Sequence, residues 1–211
     1  MAIIKRFIGN CTKILNYPKL YNFFTRLIAA QAARRFFVSN HISLKKGIKI
    51  LDIGCGTADI LEFLPNSKYY GFDINKKYIE KAKLRWQERA FFWTQEVNPS
   101  VLDLFPSNFF DIVLAIGVLH HLDDEECQML LKIAHDLLKK GGKLVTFDGC
   151  YIPNQSNIIK FFLKLDRGKF VRSIDGYVCL ASQKFENPKT KIYSDLLYIP
   201  YTHLVMECIK R

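Results

Sequence analysis

Residues 50–59 read Ile50-Leu51-Asp52-Ile53-Gly54-Cys55-Gly56-Thr57-Ala58-Asp59, an apolar strand running into two glycines. A strand that ends in glycine lets main chain approach a ligand closely, and the residues around the glycines say which ligand. A dinucleotide loop carries a third glycine three places after the second, where the first helix packs close and receives a pyrophosphate on its N-terminus. Asp59 stands there, and Asp52 lies two residues before the first glycine. Two carboxylates around the loop repel a diphosphate and favour a cationic or hydroxyl-bearing ligand.

From Lys49 onward, short apolar runs alternate with helical stretches: strand KILDI, a helix from about 59 to 64, strand KYYGFD, helix NKKYIEKAKLRWQ, strand FFWTQ and strand FDIVLAI. Helix DDEECQMLLKIAHDLLKK follows, stopped by Gly141-Gly142, and then strand KLVTFDG. This alternation predicts βαβ units and a mostly parallel sheet covered on both faces. The last third predicts a helical insert around 152–185, with helices SNIIKFFLKL and SIDGYVCLASQKF. Two extended runs, KIYSDLLYI and THLVMECIK, should close the chain as an antiparallel hairpin at the sheet edge. The boundaries expected are a basic helical cap over 1–48 and a core over 49–211.

Ahead of the strands, Ile3, Ile4, Phe7, Ile8, Cys11, Ile14 and Leu15 recur at helical spacing, and Pro18 opens a second helix running to about Val38. The net charge is +11, and residues 1–49 carry ten basic side chains with no Asp or Glu, leaving +1 for the rest. So local a field suits an anionic acceptor, an acidic membrane surface or RNA, or it is simply a solvated face. Six scattered cysteines without C-x-x-C pairs predict reduced thiols and no metal site, and no run approaches the length of a membrane span. A cytoplasmic protein is expected, with peripheral contact at the inner membrane face as an option for the basic N-terminal helix.

Five pieces in order, ILDIGCGTADIL, YYGFDIN, TQEV, FDIVLAIGVLHHLDD and LLKKGGKLV, resemble the class I S-adenosylmethionine-dependent methyltransferases over residues 49–149. The resemblance implies a Rossmann-like α/β fold with a seven-stranded, mostly parallel sheet whose C-terminal strand inserts antiparallel. It implies S-adenosyl-L-methionine as cofactor and S-adenosyl-L-homocysteine as product. Carried over residue by residue, it puts Gly54, Cys55 and Gly56 against the methionine part with Asp52 nearby, and Asp73 on the ribose with Ile74 flanking the adenine. Glu96, where the family usually has Asp, and Val97 fall at the adenine edge, Ile116 and Gly117 beside the cofactor at the fourth strand tip. Tyr21, in YPKLYNFF, resembles a lid tyrosine over the methionine end.

His120 and His121, just past the fourth strand, are the candidate bases for a hydroxyl acceptor; the alternative is that one of them only holds the loop. Asp123 and Glu126 have capping-box spacing and belong to the helix start. The turn DRGKFVR offers Arg167 and Arg172 as a substrate clamp, with Tyr151 and His203 nearby; the alternative is surface ion pairing. Three functions follow: a methyltransferase for a small-molecule, glycan or lipid-type acceptor, anionic and methylated on oxygen or nitrogen; an RNA methyltransferase using the basic N-terminus; or an inactive scaffold. For RNA, no recognisable binding module is present, and AIGV stands where base-methylating relatives carry an N-P-P-Y-type tetrapeptide.

Overall fold

The computed structural model describes residues 30–211 except 44 and 167. The expected first helix, the start of the second, Tyr21 and Arg167 lie outside the described residues. Helix α1 spans Ala30–His41 and runs three residues past the expected end, because His41 is held at its far end. His41 Nδ1 lies 2.7 Å from Glu207 Oε1, and Nε2 lies 2.9 Å from the Tyr193 hydroxyl.

Parallel strands β1 (Lys49–Ile53), β2 (Lys68–Asp73), β3 (Ala90–Thr94), β4 (Phe110–Ile116) and β5 (Leu138–Tyr151) form the sheet with β7 (Lys189–Tyr193) and β8 (His203–Ile209). The spatial order is β3-β2-β1-β4-β5-β8-β7, and β8 is antiparallel to both its neighbours. A short β6 (Arg172–Ser173) pairs off the path with Cys150 and Tyr151 of β5. The fold is the Rossmann-like, mostly parallel arrangement with an inserted antiparallel C-terminal strand. The hairpin, however, is not wholly at the edge: β7 is the edge, and β8, whose first six residues are buried apart from Glu207, lies inside the sheet.

Alternating residues feed two cores, since successive strand side chains point to opposite faces. Leu51 and Ile53 pack under α3 (Asp124–Leu137) and α5 (Ile174–Ser182), whereas Ile50 packs under α1 and α2 (Lys76–Trp86). Asn75 caps α2 through its side chain, and Asp123 with Glu126 forms the expected capping box of α3. Helix α4 (Asn157–Leu165) stands on the insert.

Two local expectations change. The stretch expected as a helix after the glycine loop is a 3₁₀ turn, Asp59–Phe63. Helix α3 stops at Leu137, before the Gly141-Gly142 pair, and both glycines belong to β5. Pairing outcompetes helix there, because Gly141 N donates to Lys210 O at 2.7 Å and Lys210 N donates to Gly142 O at 2.9 Å. A register shift between Phe110 and Ile112 accommodates the extra residues.

Candidate functional site

The carboxyl ends of β1, β2, β4 and β5 lie side by side, the position at which open α/β sheets bind ligands. After β1 the chain curls back over β2: the N–H groups of Gly54 and Cys55 both donate to Phe72 O, at 2.8 and 3.0 Å. Gly54 has φ +71°, and a Cβ there would stand 2.6 Å from Val118 Cγ2, so glycine is required by conformation and by space. Cys55 is half-buried beside it, and a Cβ on Gly71 would meet its sulfur.

Asp73 ties the loop to the next strand. Its Oδ2 accepts from Gly56 N at 2.8 Å and its Oδ1 from Asn75 N at 2.7 Å. Each carboxylate oxygen offers two lone pairs, so both can still accept ribose hydroxyls. Burial pushes the Asp73 pKa up, and those two backbone bonds hold it back. Ile74, beside it, is 74% exposed, a flat apolar surface with nothing covering it among the described residues. Glu96 is exposed on the turn after β3, and Val97 packs against the core.

Asp52 lies beneath the loop, not at its mouth, on the α1 side of the sheet with Ile50 and Tyr69. It is 2% exposed, and its Oδ2 accepts from the Tyr69 hydroxyl. Its Oδ1 is buried with no partner among the described residues. Burial raises the carboxyl to about 7, against the Tyr69 bond, which lowers it. Asp59, at the dinucleotide glycine position, takes Arg85 at 2.5 Å and Arg34 at 3.5 Å and so ties α1 and α2 to the 3₁₀ turn. The loop runs into the 3₁₀ turn Asp59–Phe63 and not into a long helix, which removes the usual phosphate seat.

On the opposite face of the sheet edge a second polar cluster assembles. Ile116 ends β4, Gly117 N donates to Phe147 O at 2.8 Å, and the following turn carries His120 inward. His120 Nδ1 lies 2.8 Å from Asp148 Oδ1, which also accepts from His120 N at 3.3 Å. A carboxylate can only accept, so Nδ1 carries a proton, and in the neutral ring Nε2 keeps its lone pair. Nε2 faces Asp166 Oδ2 at 3.8 Å, and that oxygen accepts from the Tyr201 hydroxyl. Burial alone would lower the His120 pKa; the Asp148 hydrogen bond and charge, with Asp166, outweigh it and raise it above the ordinary histidine value.

His121 is exposed and its ring lies 4.2 Å from that of His120. His203 is buried, stacked on Phe147 at 4.4 Å, and burial drives its pKa down to about 3, so the ring is neutral. Its Nδ1 has no partner among the described residues. Tyr151 closes β5 and is half-buried.

Arg172 is placed differently from the expected substrate clamp. Nε and Nη2 donate to Asp124 Oδ1 at 3.0 and 2.6 Å, Nη1 to Leu119 O and Phe170 O at 3.0 Å each, and Nη2 to Leu122 O at 2.8 Å. All five N–H donors are engaged, and the guanidinium braces the His120 turn against the insert. Asp148, Asp166, Tyr69 and Tyr201 were not singled out as site residues by the sequence. Asp148 had a signal, an acid interrupting the apolar strand KLVTFDG, as Asp52 interrupts KILDI.

A sequence model described as "Methyltransferase domain" matches residues 51–144. The demethylmenaquinone methyltransferase of Geobacillus sp. (strain WCH70) is 27% identical over 156 residues, covering 69% of this chain and 64% of that protein. The chain thus spans less than two thirds of that relative's length. The YcgJ protein from Bacillus subtilis superposes with a TM-score of 0.67 at 17% identity, covering 86% of this chain and 99% of that one. Residues 51–144 thus match a methyltransferase domain, and the fold is that of the class I methyltransferases. Another methyltransferase of the same fold is a geranyl diphosphate C-methyltransferase from Streptomyces coelicolor A3(2), solved with S-adenosyl-L-homocysteine. It has a TM-score of 0.66 at 14% identity and covers 86% of this chain and 79% of that one. The matched residues include the glycine loop, Asp73 and the strand leading to His120.

The residues at this edge fit a sulfonium cofactor on their own terms. An orphaned buried carboxylate oxygen on Asp52, spare lone pairs on Asp73 and the open space beside Gly56 suit a cation with ribose hydroxyls. The four aspartates 52, 73, 148 and 166 along the edge would repel a diphosphate.

Proposed function

We propose that the chain is an S-adenosylmethionine-dependent methyltransferase acting on an oxygen of a small acceptor, with His120 as the base. The observation that carries this reading is the buried His120–Asp148 pair, whose Nε2 lone pair faces the acceptor side of a cofactor loop of the expected kind. Asp73 and the Gly54–Gly56 loop would hold the adenosyl and methionine parts, and Asp52 would offer its free oxygen to the cationic end. Bound there, S-adenosylmethionine supplies a methyl group already activated on a positive sulfur.

The protein's own work is then to place the acceptor and take its proton. Asp148 fixes the Nδ1–H tautomer and stabilises the imidazolium, and Nε2 receives the hydroxyl proton, a contribution of about 10²–10⁴-fold. Asp148 and Asp166 crowd this end with negative charge, and Arg172 has no donor to spare. The reacting end of the acceptor is therefore read as an uncharged hydroxyl rather than an anion.

Testing begins with cofactor binding by calorimetry, followed by a screen of phenols and quinols. The rate should rise with pH through a value above the ordinary histidine pKa, since His120 must be neutral to act. Methylation that survives His120→Ala undiminished would remove the base from this reading. An RNA acceptor, favoured by the basic residues 1–49, predicts instead an affinity that collapses with salt.

A further inference from the structure

Helix α4, Asn157-Ile-Ile-Lys-Phe-Phe-Leu-Lys-Leu165, separates apolar from polar residues most sharply among the described helices, yet only Leu163 of its nine residues is buried. Leu163 packs on Gly149, where a Cβ would meet its Cδ2 at 2.9 Å. Ile158 and Phe161 are 56% and 47% exposed, and Phe162 and Leu165 are half-buried. These four fall within an arc about 100° wide, turned away from the Leu163 side. Lys164 borders the arc on one side with Lys160 beyond it, Ile159 lies on the other, and the exposed Phe170 and Lys169 follow past the end of the helix.

An exposed apolar stripe with lysines on the neighbouring polar face matches a helix lying in the plane of a lipid interface. The stripe would enter the acyl boundary and the lysines would reach anionic headgroups. Residues 157–172 carry five Lys or Arg and one Asp, a local excess of the matching sign. The place of α4 matters too, because its C-cap is Asp166, whose carboxylate lies 3.8 Å from His120 Nε2 and accepts from Tyr201. A surface docked through α4 therefore abuts the acceptor side of the site.

We propose that α4, with Phe170, docks the protein on an anionic lipid bilayer and that the acceptor is an amphiphile drawn from that bilayer to His120. The second clause rests on the methyltransferase reading; the first does not.

Flotation of the full-length protein with vesicles of phosphatidylcholine, alone or mixed with phosphatidylglycerol, tests docking without any activity. The expected result is flotation with phosphatidylglycerol vesicles that weakens as salt rises. Phe161→Asp or Ile158→Asp should lower the partition coefficient more than tenfold. Lys160→Glu with Lys164→Glu should erase the preference for anionic vesicles, about fivefold per lysine. Failure to float at any composition overturns the proposal, as does flotation indifferent to Phe161→Asp.

Two further outcomes would assign the stripe to another occupant and overturn it equally. A fall in Tm on Phe161→Asp without vesicles would mean that residues 1–29 cover the stripe. A dimer that dissociates on Phe161→Asp would mean that a second copy does. Calorimetry with S-adenosylmethionine on the same samples separates the two claims. Protein that floats but ignores the cofactor removes the methyltransferase reading and leaves the docking helix standing.

Discussion

The two halves of the site solve opposite problems. The cofactor side is built from residues 52–75, neighbours in sequence, and its polar atoms are answered mostly by main chain: Gly56 and Asn75 N–H groups on Asp73, Phe72 O beneath the loop. The proposed acceptor side brings together His120, Asp148, Asp166 and Tyr201 from four separate segments, and they are held chiefly by contacts among their side chains. The two also lie on opposite faces of the sheet edge, Asp52 with the α1 core and Asp148 toward the α3 side. A local loop can be conserved as a unit of backbone geometry, whereas an assembled cluster depends on the packing of every element that delivers a member.

That contrast can be broken most forcefully at His120. With an acceptor found by the screen, His120→Ala should lower kcat by about 10²–10⁴-fold and leave the cofactor Kd by calorimetry unchanged; equal losses in both would mean that the halves are one unit. Next comes the brace. Arg172→Ala strips three backbone carbonyls of a charged donor, and should cost about 2–4 kcal/mol of stability, read as a lower denaturant midpoint. The exposed Asp124 adds little to that cost, and cofactor affinity should change less than acceptor turnover.

On the cofactor side, Gly54→Ala forces a side chain into φ +71° and against Val118. The cofactor Kd should rise about tenfold or more while the Tm moves little. A smaller effect concerns pH. The Asp52 carboxyl, raised to about 7 by burial, should fall when a cation binds beside it, releasing a proton. Affinity for S-adenosylmethionine should therefore grow, by up to about tenfold per pH unit, as pH rises toward 7, and level off above it. Asp52→Asn should flatten that dependence, and S-adenosyl-L-homocysteine, which lacks the positive sulfur, should show less of it than the methylated cofactor; a profile unchanged by the substitution would place Asp52 outside the binding linkage.

Most of the fold was legible because its signals are short-ranged. Strand β4 spans the apolar run FDIVLAI residue for residue, and the capping box of α3 stands where Asp123 and Glu126 predict it. The misreadings occurred where tertiary contacts compete with local preference. The KKGG stretch pairs with the end of β8 instead of continuing α3, and His41 extends α1 by reaching Glu207 and Tyr193. The glycine turn tied to Asp73 was readable for the same local reason, while the place of Arg172 was not, because nothing near it in sequence announces that Leu119, Leu122 and Asp124 would take four of its five donors.

By itself, the sequence determined the alternation of strands and helices, the glycine loop and the acids on its two sides, because periodicity, glycine conformation and strand-end chemistry act over a few residues. Only the tertiary structure decided that His120 rests on Asp148 and faces Asp166, that β8 lies inside the sheet, and that α4 leaves its apolar stripe uncovered among the described residues. Hydrogen bonds between distant side chains, and the burial of one helix face rather than another, exist only once the packed layers have set which surfaces meet.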